Sequence, residues 1–528
     1  MTRSNSAVVS AFMLIVAMAI GGGVSAQTLR WASQGDLQTL DPYSQNELLT
    51  NSINGQVYEA LVARDKSLKI APALATAWQQ ITPTLWRMTL RPGVKFHDGL
   101  PFGADDVVFS VERAKDKASA IRAYASALGE VHKIDALTVE FVLPQVNPIF
   151  LEHAALVQIM SKSWCEEHDV AKPQDFKSGE TKYTTLNANG TGPYVLISRQ
   201  PDVKTSFKRN LNWWGRFDGN VMEVVYTPIK SDPTRSAALL SGQLDLVLDP
   251  PPQDTDRLRS TAGVKIVDGV ENRVIFIGMD QSRDELRYSS VKGRNPFKDA
   301  RVRKALYHAV DIEALRTSVM RGQSRPTGAM SPSPLGTFND AELERRLPFD
   351  LSRARTLMME AGYPQGFEVA LDCPNNRYIN DERICIALAG MWAQIGVKVN
   401  VVAQPRALYF AKAEKLDVSM YMLGWGGVIT DAEVTLTPVL RSRGENGTGY
   451  YNWGDYKNPR LDGLAAASSV ETDPVKREQL IKAAFREQGE QVHHIPLHRQ
   501  VIPWAMRSNV DAVHRPDNWL EWRWINVR

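Results

Sequence analysis

Residues 72–113 read PALATAWQQITPTLWRMTLRPGVKFHDGLPFGADDVVFSVER, and this stretch decides the fold. Trp86, Met88 and Leu90 alternate with Arg87, Thr89 and Arg91, the period of a half-buried strand. Pro92-Gly93 turns the chain, because proline pre-sets its own φ and glycine accepts a positive one. Val94, Lys95 and Phe96 continue extended, and Asp98-Gly99 turns again. From Ala104 the pattern changes to helical: Val107, Val111 and Ala114 share a face, and Asp105 and Asp106 occupy the first turn, where the helix dipole favours negative charge. The local physics is a hairpin packed on a helix. His97 and Asp98 look like a catalytic pair but read as turn residues.

The rest of the chain alternates strands and helices. Strands are expected at 28–32, 131–143, 194–198, 222–228, 244–248, 274–279, 367–371, 397–402 and 417–423. Helices are expected at 54–61, 147–160, 233–242, 352–361 and 384–395. Such alternation gives α/β layers. A run at 493–504, HHIPLHRQVIPW, reads as extended, and the end, WLEWRWINVR, alternates like a terminal strand. The chain's 528 residues exceed one hydrophobic core. Hydrophobic content of 43% and charged content of 23% are those of an ordinary globular protein. With 62 basic and 59 acidic residues the net charge is +3, which provides no field to recruit nucleic acid.

The first residues stand apart. A basic start, an apolar run over 7–20, a glycine break and small residues at Val24 and Ala26 form the pattern of a cleavable signal peptide ending at residue 26. The run is shorter than the roughly 20 residues a spanning helix needs. No cysteine follows the cleavage point, so a lipid anchor is not expected there. Export permits disulfides. Cys373 and Cys385 are one possible pair, but the preferred reading is three separate buried thiols, Cys165 included.

Several segments, in order, resemble the extracellular solute-binding proteins of family 5, the receptors of ABC importers for peptides, nickel and related solutes. They are SQGDLQTLDPYSQNE (33–47), LRPGVKFHDGLPFGADDVVFSVER (90–113), NGTGPYVL (189–196), NLNWWG (210–215) and SDPTRSAALLSGQLDLVLD (231–249). Gly103 stands where that family usually has Thr or Ser as the helix cap. Glycine also caps, within a few tenths of a kcal/mol.

The resemblance implies a bilobal α/β periplasmic-binding-protein fold with a hinge and a large lobe split into two subdomains. The expected division is 1–26 signal peptide, 27–275 first lobe with an inserted subdomain at about 60–185, 276–492 second lobe, and 493–528 returning to the first. It implies a monomeric receptor in a Gram-negative periplasm that closes around a peptide or similar small solute. Its partners would be a permease and ATPase complex in the inner membrane, with no cofactor and no catalysis. The alternatives are an exported hydrolase of peptides or sugars, and a binding protein for nickel complexes or oligosaccharides.

Binding a zwitterion needs an anion, a cation and free backbone edges. Trp425 reads as an aromatic wall, and Gly424 and Gly426 beside it allow close approach. Peptide-binding relatives place an acid just after this loop. Here the first acid is Asp431, several residues late, and capping the next helix is its other reading. Arg377 resembles the position that holds a peptide carboxylate in such relatives; an exposed loop arginine is its alternative. Tyr43 reads either as a ligand contact or as a packed turn residue. Asn452 and Trp453 are weaker candidates. His493, His494 and His498 could share a strand face and hold a metal, but a structural strand at the hinge is preferred. The GTG turn lacks the Lys of a phosphate loop and continues into Pro193.

Overall fold

The computed structural model describes residues 27–331, 340–375, 377–427, 429–444 and 448–528. The expected leader, 1–26, lies outside the described residues. Chain entry is through β1 (Thr28–Ser33) and α1 (Leu48–Val57), which is capped by the Glu47 carboxylate accepting the amides of Leu49 and Thr50.

The deciding stretch folds as β2 (Ala75–Thr82), β3 (Leu85–Leu90) and α2 (Ala104–Ala114). α2 buries Val107, Val111 and Ala114, the face its spacing predicts. Gly103 precedes it, and Asp106 reaches back to accept the Gly103 amide at 2.9 Å. β4 (Glu130–Asp135) and β5 (Thr138–Val142) complete an antiparallel sheet in the order β2-β3-β5-β4. The His97-Asp98 turn is structural. His97 Nε2 lies 2.9 Å from the Gly192 carbonyl, and Asp98 accepts from Asn189 Nδ2 at 2.7 Å. This joins two of the sequence motifs. Glycine is required in the second motif, since a Cβ on Gly190 would stand 2.1 Å from the Val57 carbonyl oxygen at the end of α1.

Two short helices, α3 (Arg122–Ser126) and α4 (Phe150–Ala154), flank the β4–β5 hairpin along the chain. The helix expected over 147–160 is confined to α4. Beyond it, Gln158 bridges to Ala60 and the Ile159 amide bonds the Glu59 carbonyl, so pairing with a distant segment replaces the helical turn.

The principal sheet has eleven strands. Besides β1 it contains β6 (Tyr194–Gln200), β7 (Lys204–Arg209), β8 (Glu223–Pro228), β9 (Leu246–Leu248), β10 (Val264–Met279), β11 (Ser324–Pro326), β12 (Phe367–Pro374), β13 (Val397–Gln404), β14 (Met420–Gly426) and β15 (His494–Arg507). The order is β13-β12-β14-β10-β15-β9-β1-β8-β7-β6, with β11 added on β15. β10 and β15 run antiparallel and carry the sheet from one lobe into the other: β15 pairs β9 on one side, and β10 pairs β14 on the other. Their register shifts between Val270 and Val274, an irregularity that weakens pairing where the lobes meet. β10 is longer than the expected 274–279 because residues 264–270 pair with 501–507.

In the second lobe, β12 and β13 are parallel and joined through α5 (Asp381–Ala393), and α6 (Pro474–Gln491) precedes β15. One buried cluster around Trp31, Val107 and Trp522 fills the first lobe, and others around Trp392 and Trp453 fill the second.

Three expectations are corrected. Cys373 and Cys385 form a disulfide, because the crossover brings the end of β12 beside α5 with both thiols buried; Cys165 stays a buried free thiol. The glycine-tryptophan segment lies within β14, not in a loop after it, since residues 420–426 pair fully with 273–279. The C-terminus is a 3-10 turn, Trp522–Trp524, and a two-residue strand, Asn526–Val527. Trp522 packs against Tyr194 and Phe207 at 5.3 and 4.9 Å, so its side chain anchors there in place of backbone pairing. Among the described residues no helix is long and apolar enough to cross a membrane.

Candidate functional site

The crevice floor is built where β10, β14 and β15 meet. Polar residues interrupt otherwise apolar strands here: Glu271, Asn272 and Arg273 on β10, and Gln500 on β15, all buried. Buried polar groups must find partners: Asn272 donates to the Gly427 and Ile429 carbonyls, and the other three bond one another. Gln500 Nε2 donates to Glu271 at 2.6 Å, Arg273 Nε donates to Glu271 at 3.0 Å, and a further Arg273 nitrogen reaches the Gly424 carbonyl at 3.4 Å. The pKa of Arg273 is raised; burial opposes its charge, but Glu271 outweighs burial.

The loop after β12 rises from this floor. Tyr378 is buried, and its hydroxyl donates to the Gly424 carbonyl at 3.2 Å. Arg377 beside it keeps an exposed side chain. Its backbone amide bonds Asp381, and its guanidinium lies 5.1 Å from the Tyr378 ring centre, with no carboxylate partner among the described residues. Crowding by surrounding atoms, then repulsion from Arg273 and Arg406, lower its pKa from the usual guanidinium value. The side chain is thus exposed, with two other cations close enough to repel it. An anion placed there would relieve the repulsion.

The glycines of β14 shape the same place. A Cβ on Gly424 would stand 2.5 Å from the Tyr378 ring, and one on Gly426 would stand 1.9 Å from the Asn272 carbonyl oxygen. Trp425 is half-buried. Its indole donates to the Val434 carbonyl at 2.6 Å and tilts against Tyr451 at 4.5 Å. Asp431 makes a two-pronged pair with Arg477 of α6, both bonds 2.7 Å, and accepts the Glu433 amide at 2.9 Å. Burial, with repulsion from Asp431, pushes Glu433 up to about 7, against a hydrogen bond from Thr437.

Across the crevice stand α3 and α4. Tyr124 is close enough to influence the phenol of Tyr451, and Asp431 close enough to influence His153. Burial lowers His153 to about 4 despite that carboxylate. Beside Tyr124 lies a small pocket lined in part by Asn46, Asn51, Gln158 and Trp519. Gln158 Oε1 and Trp519 Nε1 have no hydrogen-bond partner among the described residues. A larger open hollow between Asp232 and Arg257 shares no residue with the crevice.

The structure sets Arg377 beside Gly424 of β14 through Tyr378, and Trp425 and Gly426 are the next residues of that strand. It does not bring Tyr43 or Asn452 to the surface. Tyr43 is fully buried, bonded to the Gln158 carbonyl and stacked under Arg113, which itself pairs with Asp41. Asn452 is fully buried and donates to the Arg441 and Tyr456 carbonyls. Trp453 is a core residue. The sequence reading missed Glu271, Arg273, Tyr378, Gln500 and Trp519. The available signal was a charged or amide side chain inside an apolar extended run, as in VENRVIF and HRQVIPW.

Of the three histidines on β15 and just before it, His493 stacks on Tyr456 at 3.8 Å and is bracketed by Gln281 and Asn458. His494 and His498 are buried with no bonded ring nitrogen among the described residues. Burial lowers His493 to about 2 and the other two to about 3. No group of three histidine, cysteine or acidic side chains that could hold a metal occurs among the described residues.

Comparison with known proteins adds relatives to this geometry. Residues 69–447 match the profile "Bacterial extracellular solute-binding proteins, family 5 Middle". The chain is 26% identical over 458 residues to the glutathione-binding protein GsiB of Escherichia coli O1:K1, covering 84% of each. It is 28% identical over 483 residues to heme-binding protein A of Haemophilus influenzae, covering 85% of this chain and 83% of that protein. Its fold is similar to the periplasmic binding protein DppA of Helicobacter pylori in complex with the peptide STSA. The TM-score is 0.76 at 21% identity, over 92% of this chain and 94% of that one.

Proposed function

Because the chain belongs to the bacterial extracellular solute-binding proteins of family 5, we propose that it is the capturing receptor of an ABC importer whose solute carries a carboxylate held by Arg377. The observation that carries this reading is the exposed guanidinium of Arg377, with no carboxylate partner among the described residues, on backbone held by Asp381 and Gln500. Glutathione, heme and peptides, the ligands named for relatives, differ in size and shape but share a free carboxylate. An arginine fork suits that group.

Residues 27–275 with 493–528 form the first lobe, with 60–185 as its inserted subdomain, and 276–492 form the second. The irregular pairing at 270–274 absorbs the motion. Closure sandwiches the solute between Trp425 with Arg377 and the α3–α4 face, and creates the surface that docks on the permease. Gly424 and Gly426 keep the floor open. Asp431, Tyr43 and Asn452 hold the walls. The leader at 1–26 delivers the protein to the periplasm, where it works as a monomer. The partner ATPase supplies the energy, and no bond of the solute is made or broken.

Thermal-shift screening tests the reading with glutathione, tri- and tetrapeptides, hemin and the nickel–histidine complex. A ligand specific to the folded state raises the melting temperature, and the 13 tryptophans report closure by fluorescence. Saturable binding without turnover of a carboxylate-bearing solute is the expected result. Hydrolysis of the bound compound, or shifts only with uncharged sugars, would refute it.

A further inference from the structure

Arg377 rides on a segment pinned from several independent directions. Cys373, near the end of β12, is bonded to Cys385 on α5, so the segment between them is a closed loop. Within it, Asp381 accepts the amides of Arg377 and Tyr378 at 2.9 and 3.1 Å. Asn380 donates to the Val319 carbonyl at 2.9 Å. The Ile379 amide donates to Gln500 Oε1 at 3.1 Å. Gln500 belongs to β15, a strand that crosses between the lobes, and its other amide atom donates to Glu271. Glu271 accepts from Arg273, which reaches Gly424, and Tyr378 bonds the same carbonyl. These contacts form a ring that joins the loop to both crossing strands and to β14. Every anchor holds backbone or a neighbour, and the Arg377 guanidinium is left out of all of them.

We infer that the Cys373–Cys385 disulfide and Gln500 are positioning residues for ligand capture, holding residues 377–380 so that Arg377 is presented ready-made to the crevice. This rests on the reading of Arg377 as the anion anchor. A loop ordered before binding avoids the cost of ordering it afterwards, so affinity depends on groups that never touch the solute. The disulfide acts on the loop by restricting its alternatives, and Gln500 acts through the strand that moves on closure.

The test compares wild type, Cys373→Ser/Cys385→Ser and Gln500→Ala, each alone and combined with Arg377→Ala. Hydrogen exchange is read at the amides of residues 377–379, and calorimetry uses trialanine as the carboxylate probe. In folded variants these amides should exchange about tenfold faster or more, and trialanine affinity should fall about tenfold. In the Arg377→Ala background the same changes should cost no further affinity, because the effect runs through that side chain. Unchanged exchange at 377–379 in a folded variant overturns the proposal, and so does an equal affinity loss with and without Arg377. If trialanine fails to bind the wild type, glutathione serves as the carboxylate probe in the same comparison, and unchanged exchange at 377–379 still overturns the proposal.

Discussion

β12 and β14 are parallel neighbours, so their C-terminal ends lie along one edge of the sheet and both deliver candidate ligand groups to it. They differ in what they leave free. After β12 the amides of residues 377–379 are engaged and the charge of Arg377 is not. At the end of β14 and beyond it the polar side chains are engaged: the Trp425 indole on Val434, and Asp431 on Arg477. Under the proposed function, the first arrangement holds a reserve for a partner that arrives later. The second stabilises the lobe. A binding group is thus recognised by an uncompensated charge on a rigid mount, and a structural one by a closed circuit of bonds.

The largest expected effect breaks the first half of the comparison. Arg377→Ala should weaken binding of a carboxylate solute about a hundredfold, roughly 3 kcal/mol, the scale of a lost charge-assisted pair. The melting temperature should stay within about a degree or two, since the guanidinium loses only its place over the Tyr378 ring and, among the described residues, no hydrogen bond or ion pair; a large fall would place Arg377 in the scaffold instead.

Asp431→Asn should show the opposite split. It leaves Arg477 half-satisfied in a mostly buried site, side chains 13% exposed on each partner. The expected cost is about 2 kcal/mol of stability by chemical denaturation, with affinity changed less than about threefold. An affinity loss exceeding the stability loss would move Asp431 into the ligand site.

Trp425→Phe sits between the two. It removes the bond to Val434 and part of the overlap with Tyr451, and should cost about 1 kcal/mol in stability and a similar amount in affinity. An effect on only one of them would assign Trp425 wholly to wall or to ligand.

The smallest effect is a pH slope. Glu433 titrates near 7 in the folded protein, above its ordinary 4.5. The folded state therefore holds more protons than the unfolded one between those values, and stability falls as pH rises through that window. Glu433→Gln should flatten this slope. The histidines work the other way: lowered to about 2 or 3, they remove stability as pH falls from 6.5. An unchanged slope in Glu433→Gln would mean that its carboxyl is not desolvated.

Much of the architecture could be read in the chain itself. The hairpin and helix of 72–113 declare themselves because period-2 and period-3.6 patterns abut there with turn residues between. The crossing strand at 274–279 was visible as an apolar run. Its true length was not, because residues 264–270 become a strand only by pairing with residues 501–507, and no local pattern encodes that partner. Trp425 stood out as an aromatic between glycines, and Arg377 by its resemblance to the position that holds a carboxylate in peptide-binding relatives. Glu271, Arg273 and Gln500 did not, since their bonds join residues 229 positions apart, Glu271 to Gln500. The disulfide, against which three separate thiols are the preferred reading, was missed for a related reason: spacing alone says nothing of whether a strand end and a helix face will lie side by side. Asp431 was legible in both of its alternatives, and the ion pair with Arg477 comes from a helix whose placement the sequence does not disclose.

The most direct test of the central claim compares one solute as free acid and as C-terminal amide, titrated calorimetrically into wild type and Arg377→Ala. The account predicts that wild type prefers the acid by about a hundredfold and that the preference collapses in the variant. If the preference survives the substitution undiminished, the carboxylate is held elsewhere and Arg377 is not the anchor.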